Sequence, residues 1–425
     1  MRGLYWFRND LRLHDNPALL RLAAKCDELI CVYVAEPRWF TWTRFQSKPV
    51  GAFRWRFILE SLENLQRQLQ SCGQRLVIKS GQPQQVIADL IAAHDIRCVG
   101  FSHLPATYEA NQIKQLELQF PEVFWDGEYA FTLFEPEQLP FEPDDLPKSF
   151  TPFRKRVEKI PLLRPVKAPV TLPLPGCLSI ASDELPAPAS LATGIHETEL
   201  YFSGGEKAGL NQLRYYLHES GLVSDYKTTR NGLDGWDFSS KLSPWLAQGC
   251  LSPRQIMAEL RDYEAKCVAN DSTYWLYFEL LWREYFQWLH YKYGYRLYHP
   301  RGIRDVNPLL TFYAEAYMCW REGTTDSPFV NAFMRQLKET GWMSNRGRQI
   351  VASYLVNELG VDWRFGAAWF EQQLIDYDPA SNWGNWQYLA GVGTDPRGRR
   401  AFNITKQQQT YDPERVFTNK YAEPR

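Results

Sequence analysis

A single change of rhythm limits what this chain can become. Up to about residue 130, short runs rich in β-branched and aromatic residues alternate with amphipathic stretches; beyond residue 204 the pattern is helical nearly to the end. Strands are expected over residues 3–7, 29–34, 75–79, 97–101 and 123–125, with helices over 16–26, 51–71, 83–94 and 108–119. Short, almost continuously apolar strands joined by helical crossovers are buried on both faces, so the expected architecture is α/β, a doubly wound parallel sheet. No Gly-x-Gly-x-x-Gly follows the first strand. The usual dinucleotide site of a Rossmann-like sheet is therefore not signalled, and such a cofactor has to be seated elsewhere.

At 425 residues the chain is too long for one core. The expected division is an α/β domain over 1–130, a connector over 131–200 and an all-helical domain over 201–425. The connector is crowded with proline (Pro161, Pro165, Pro169, Pro173, Pro175, Pro186, Pro188) and should wrap the surface. A formal net charge of −1 gives no global field to draw in DNA or membrane, so any nucleic-acid site has to be a local basic patch. Eight cysteines with no Cys-x-x-Cys, and no leader-like start, point to free thiols in a reducing, cytoplasmic setting. Only Cys250, Cys267 and Cys319 lie beyond residue 200, too few for a four-cysteine iron–sulfur cluster there. No apolar stretch has the length of a membrane span, and no hydrolytic triad or metal-ligand spacing stands out. The 16 tryptophans ask for a reason: a bulky helical core would use them, and so would a site walled by rings.

Four segments carry candidate chemistry. In the run 272–288, Glu279, Trp282, Arg283 and Phe286 fall at i, i+3, i+4 and i+7, one helix face. A surface Glu–Arg pair at that spacing is commonplace, but nearly every neighbour is apolar or aromatic, and buried charges need partners or a task. Asn345, Arg348 and Gln349 share another face, for which a solvated helix start is the plain alternative. The segment 376–388 packs Asp376, Asp378, Asn382 and several indoles into a turn-rich stretch that, alone, supports only an Asx turn. Tyr226 to Arg230, with Ser239, Ser240, Lys241, Leu242 and Ser243, offers hydroxyls and a cation before a helix, suited to a pyrophosphate or simply to an N-cap.

Together with the opening Trp6-Phe7-Arg8-Asn9-Asp10-Leu11-Arg12-Leu13-His14-Asp15-Asn16, these blocks resemble photolyases and cryptochromes, in the expected order and over almost the whole chain. Within that family Gln349, Tyr388 and the Asn231-Gly232 wording resemble the DASH branch; many duplex-repairing members have Met and a second Trp where Gln349 and Tyr388 stand.

The resemblance implies a U-shaped FAD inside the helical domain. Tyr226 and residues 239–243 would hold its diphosphate, and Glu279, Arg283 and Phe286 would line the pocket. Asn345, Arg348, Asp376, Asp378 and Asn382 would surround the isoalloxazine and ribityl groups, an Arg348–Asp376 pair placing fixed positive charge near a reduced flavin. It also implies cleavage of cyclobutane pyrimidine dimers by electron lending, with Glu279, Trp282, Asn345, Gln349 and Tyr388 against the lesion and Arg230, Arg346 and Arg397, with Arg399, on phosphates. DNA containing such dimers, preferably single-stranded, is the implied partner of a monomeric protein. Trp386 and Trp363 match the first two members of the family's tryptophan electron chain; the third position falls on Leu310, with Phe312, Tyr313, Tyr317 and Trp320 as nearby replacements and Tyr or Trp favoured. Glu109 fits an acid that bonds a pterin, implying 5,10-methenyltetrahydrofolate as antenna.

A blue-light receptor that binds FAD and nucleic acid but signals is the competing reading. Intact Glu279, Trp282 and Asn345 favour repair, as does the short run after Tyr411-Asp412-Pro413, while Gln349 and Tyr388 weaken repair of duplex DNA. An electron-transfer flavoprotein without DNA is opposed by Arg230 and the basic run 397–400, although such runs are usually solvated faces.

Overall fold

The computed structural model describes residues 1–175, 180–186, 202–395, 398 and 400–423. Its first part is a five-stranded, wholly parallel sheet of order β3-β2-β1-β4-β5. The strands are β1 (Arg2–Phe7), β2 (Glu28–Ala35), β3 (Leu76–Ser80), β4 (Cys98–Ser102) and β5 (Phe124–Glu128), and the crossovers α1 (Pro17–Lys25), α2 (Ala52–Ser71), α3 (Pro83–His94) and α4 (Thr107–Gln119). Ends lie within a residue or two of expectation, except that β5 runs three residues further. Asn16 caps α1 by accepting from the Leu19 N–H at 3.1 Å, which is why the helix starts at Pro17.

The segment expected to be a connector is part core and part strap. α5 (Phe150–Val157) buries Phe150, Phe153 and Val157, and Leu133, Phe134 and Leu146 are buried beside it. Further on, the Asp183 N–H bonds the Ile78 carbonyl, so the strap pairs with edge strand β3. Apolar periodicity is faint in this stretch because its residues bury singly, the earlier ones against α10 and the later ones against the α/β half.

The rest is helical: α6 (Glu206–Arg214), α7 (Tyr226–Thr229), α8 (Ser243–Ala247), α9 (Pro253–Lys266), α10 (Asp271–Tyr293), α11 (Ala314–Glu322), α12 (Pro328–Thr340), α13 (Asn345–Ser353), α14 (Trp363–Gln373), α15 (Pro379–Ala390), α16 (Ile404–Tyr411) and α17 (Val416–Lys420). Among the described residues no helix is long and apolar enough to cross a membrane.

One apolar cluster extends from Tyr5 and Leu29 of the sheet through Phe57 and Trp245 to Phe286 of α10, so the two halves share a core. The opening block 8–16 is the polar seam of that junction. Arg12, 1 % exposed, donates to the carbonyls of His14, Asp15, Ala130 and Gly249. Asp15 pairs with Arg254 of α9 at 3.0 Å, and His14 with Glu206 of α6. Gly249, at φ +62°, lies so close to the Asn9 carbonyl that an added Cβ would overlap it.

Burial alone would raise the Asp15 carboxyl, but Arg254 and Arg12 hold it below its ordinary value. Arg254→Met strands that carboxylate and should lower unfolding free energy by about 3–5 kcal/mol in urea titrations. Because the folded pKa is depressed, the stability from Asp15 is present above roughly pH 4 and lost as pH falls further. The variant's acid unfolding should accordingly be flatter than that of the parent protein.

Candidate functional site

The mouth of the site is a cavity of about 310 Å³ into which α10 presents Glu279, Trp282, Arg283 and Phe286, the four residues that the helical spacing placed on one face. α13 adds Asn345 and Gln349, α15 adds Ser381 and Tyr388, and Arg230 and Arg400 complete the rim. Two deeper cavities continue it. One of about 220 Å³ shares Glu279, Arg283 and Ser381 with the mouth and is lined by Tyr226, Ser240, Leu242, Ser243, Arg348, Asp376 and Asp378. The other, about 100 Å³, shares Asn345, Gln349 and Leu389 with the mouth and reaches Asn382 and Trp386.

Glu279 does not pair with Arg283 along the helix. It pairs with Arg230 at 2.7 Å and accepts from the Trp275 indole at 3.1 Å, while Arg283 turns inward to the Phe131 carbonyl and to Asp378 at 3.7 Å. Burial pushes the Glu279 carboxyl up and Arg230 pulls it back. Trp282 stacks on Phe150 of α5 at 3.7 Å between ring centroids and 12° between planes, and meets Tyr388 edge-on at 6.3 Å. The connector thus sets the tilt of a wall ring, a role for Phe150 that no local motif signals.

Of the cations expected at the rim, Arg230 lines it, whereas Arg346 of α13 does not: it bonds Gln349 and Asn231 and lies over the Tyr411 ring. Arg397 and Arg399 lie outside the described residues. Arg400 occupies the rim, donating to the Tyr388 hydroxyl at 2.6 Å and paired with Asp395. The basic run 397–400 was the available signal, but a run cannot say which member turns inward.

In the inner cavities Arg348 pairs with Asp376 at 2.8 Å, as expected. Asp376 Oδ1 and Arg283 Nη2 are buried without a hydrogen-bond partner among the described residues, polar atoms awaiting a ligand. Asp378 caps α15 and accepts from Gln287; Asn382 donates its amide to the Ala367 carbonyl, which leaves its Oδ1 for the cavity. Hydroxyls at Ser240 and Ser243, the guanidinium at Arg348, the Arg283 Nη2 donor and the Asp376 and Asn382 oxygens fit a flavin dinucleotide. Ser239 and Lys241 do not line the cavity: Lys241 bonds Ser239 and lies over Trp342 at 4.5 Å, its ammonium pushed down to about 7 by burial.

Trp386 lies against Gly366 of α14, where any Cβ would strike its ring, and Trp363 is one turn earlier on the same helix. Leu310 is 45 % exposed. Glu109 lines a separate cavity of about 460 Å³ between the two halves, paired with Arg38 at 2.9 Å. Arg54 and Glu371 line it too and were not foreseen; burial pushes Glu371 up to about 7 against the pull of Arg54. Tyr377 and Asp378 border both this cavity and the inner ones.

The family model described as the FAD binding domain of DNA photolyase matches residues 275–423, and that described as DNA photolyase matches residues 3–173. The cryptochrome DASH of Vibrio parahaemolyticus is 48 % identical over 99 % of this chain and 93 % of its own length, and that of Idiomarina loihiensis 44 % over 99 % and 92 %. Among solved structures, a Synechocystis cryptochrome superposes with a TM-score of 0.94 at 42 % identity, covering 99 % of this chain and 88 % of that one. A class III photolyase from Agrobacterium tumefaciens gives 0.83 at 27 %, covering 99 % and 86 %.

Arg348→Ala would leave Asp376 buried and unpaired at a cost of about 1–3 kcal/mol. Purified variant should therefore hold FAD roughly tenfold more weakly or worse, read as flavin absorbance per protein after dialysis, with Arg348→Lys intermediate.

Proposed function

The chain belongs to the DNA photolyase and cryptochrome family, among the cryptochromes DASH, and from that premise we propose that it repairs cyclobutane pyrimidine dimers under blue light, preferring single-stranded DNA. One observation carries the reading: the mouth cavity and the proposed flavin cavities share walls, so two linked bases of one strand in the first would lie beside the cofactor in the second. Bound FAD supplies, when reduced and excited, one electron that splits the dimer and then returns.

The residues do the rest. Trp282, Phe286 and Tyr388 offer ring faces and edges to a dimer swung out of its stack. Asn345 and Gln349 present amides that donate and accept without adding charge. Glu279, its proton affinity raised by burial, can hold a hydrogen bond to a pyrimidine carbonyl or N–H while Arg230 steadies it. Arg230 and Arg400 at the rim suit phosphates. Swinging a dimer out costs least where no partner strand holds it, and a chain of net charge −1 has little field with which to grip a duplex. These two facts support the single-strand preference.

The interdomain cavity suits 5,10-methenyltetrahydrofolate. Glu109 Oε1 is engaged by Arg38, and its second oxygen and the Glu371 carboxyl can accept from an amino-pyrimidine edge. A Sulfolobus tokodaii photolyase, 27 % identical, is solved with two FAD molecules, with implication of a novel light-harvesting cofactor; in this chain Glu109→Gln should abolish folate absorbance while leaving FAD in place.

Reduced protein is to be irradiated with a thymine-dimer oligonucleotide, single-stranded and then duplex, and remaining dimers counted. Glu279→Ala should slow single-strand repair by about ten- to a hundredfold, the worth of one charge-assisted hydrogen bond. Full repair by that variant would reject the pocket, equal repair of duplex would reject the preference, and no repair by the parent protein would leave signalling as the function.

A further inference from the structure

With Leu310 at the surface where a third oxidisable ring is expected, the electron chain behind Trp386 needs another end. The indole of Trp363 meets Trp383 edge-on at 5.8 Å, and Trp383 in turn meets Tyr298 at 5.0 Å. The Tyr298 hydroxyl lies 2.9 Å from Nε2 of His290. Tyr298 and Trp383 both line the interdomain cavity of about 460 Å³.

We propose that Trp363, Trp383 and Tyr298, with His290 as proton acceptor, form the relay that refills Trp386, ending at the interdomain cavity instead of at the outer surface near Leu310. With FAD bound, Trp386 would give it one electron; Trp363, one turn before the Gly366 that the Trp386 ring covers, would refill Trp386, and Trp383 would refill Trp363. Tyr298 then refills Trp383 and passes its phenolic proton to His290, leaving a neutral phenoxyl radical and an imidazolium. A thiolate admitted by the cavity gives Tyr298 one electron and becomes a thiyl radical, while His290 returns the proton. The net change is one electron from thiolate to flavin, and every protein group is restored.

The chemistry selects this branch over its rivals. A phenol yields an electron to an oxidised indole readily only if its proton can leave with it, and His290 is a base in hydrogen-bond contact. Burial pushes that imidazole down to about 4, so at neutral pH it is uncharged and can accept on Nε2 in the tautomer protonated at Nδ1. The other ring path from Trp386 runs through Trp320 at 6.3 Å to Tyr317 at a further 6.3 Å. There the Tyr317 hydroxyl donates to the Phe365 carbonyl, which cannot take the proton, and the Arg321 guanidinium sits 5.5 Å from its ring, opposing positive charge. Trp320 and Tyr317 are both 0 % exposed, so no reductant reaches them. Phe312 is hard to oxidise, which removes one of the four replacements that proximity in sequence suggested.

The test needs FAD binding but no DNA, so its outcome is independent of whether the protein repairs lesions. FAD-loaded, antenna-free protein is illuminated with dithiothreitol, and flavin reduction is followed by absorbance per FAD retained. Trp383→Phe and Tyr298→Phe should each slow reduction about tenfold or more, and Trp320→Phe should not change it. Paramagnetic resonance on illuminated parent protein should show a tyrosyl signal that narrows with ring-deuterated tyrosine and disappears in Tyr298→Phe; His290→Phe should weaken it without removing FAD. Unchanged reduction in Trp383→Phe and Tyr298→Phe, loss of reduction in Trp320→Phe, or a tyrosyl signal that survives Tyr298→Phe would overturn the relay.

Discussion

Three charges on one buried helix organise the molecule. Glu279, Arg283 and Glu284 all lie on α10, and a buried charge costs several kcal/mol unless it is paired and hydrogen-bonded. Each is satisfied by a different part of the chain. Glu284, 0 % exposed, accepts from the Leu133 and Phe134 N–H groups of the connector and from the Trp288 indole. Arg283 reaches the Phe131 carbonyl and Asp378 of α15, and Glu279 takes Arg230 just past α7. Satisfying α10 therefore draws the connector, the end of α7 and the start of α15 to one place, and the cavities are the space left between them.

The same pairing lets a nearly neutral protein hold charge inside the site. Besides its surface charges the protein sets opposite charges in pairs around cavities: Arg230 with Glu279 at the mouth, Arg348 with Asp376 within, Arg38 with Glu109 between the halves. Low dielectric makes each pair count locally while adding nothing to the far field. Asp378 belongs to two of these spaces at once, since it faces the flavin cavities and also borders the interdomain cavity. The proposed antenna site, the proposed flavin site and the electron supply proposed through Tyr298 thereby meet within one wall built by α10, α14 and α15.

Much was legible in the sequence because local periodicity and helical geometry are short-range properties. The parallel sheet and its boundaries followed from apolar runs and crossovers, the face of α10 from i, i+3, i+4 and i+7 spacing, and the Arg348–Asp376 pair from the family resemblance. The connector was harder. Phe150, Leu133 and Phe134 each bury separately against α10, so their burial leaves no period to read.

What the amino-acid order alone determined was the set of elements, the family and the cluster of rings and charges on α10, because each depends on residues within a few turns of one another. Tertiary structure decided the partners. Glu279 chose Arg230 over the Arg283 four residues away because Arg283 is held by the Phe131 carbonyl and Asp378. Arg400 rather than a neighbour reached the rim, and Trp383 joined Trp363 to Tyr298 and His290 across three helices and a turn. Such pairings are fixed by where distant segments cross, and no spacing along the chain encodes a crossing.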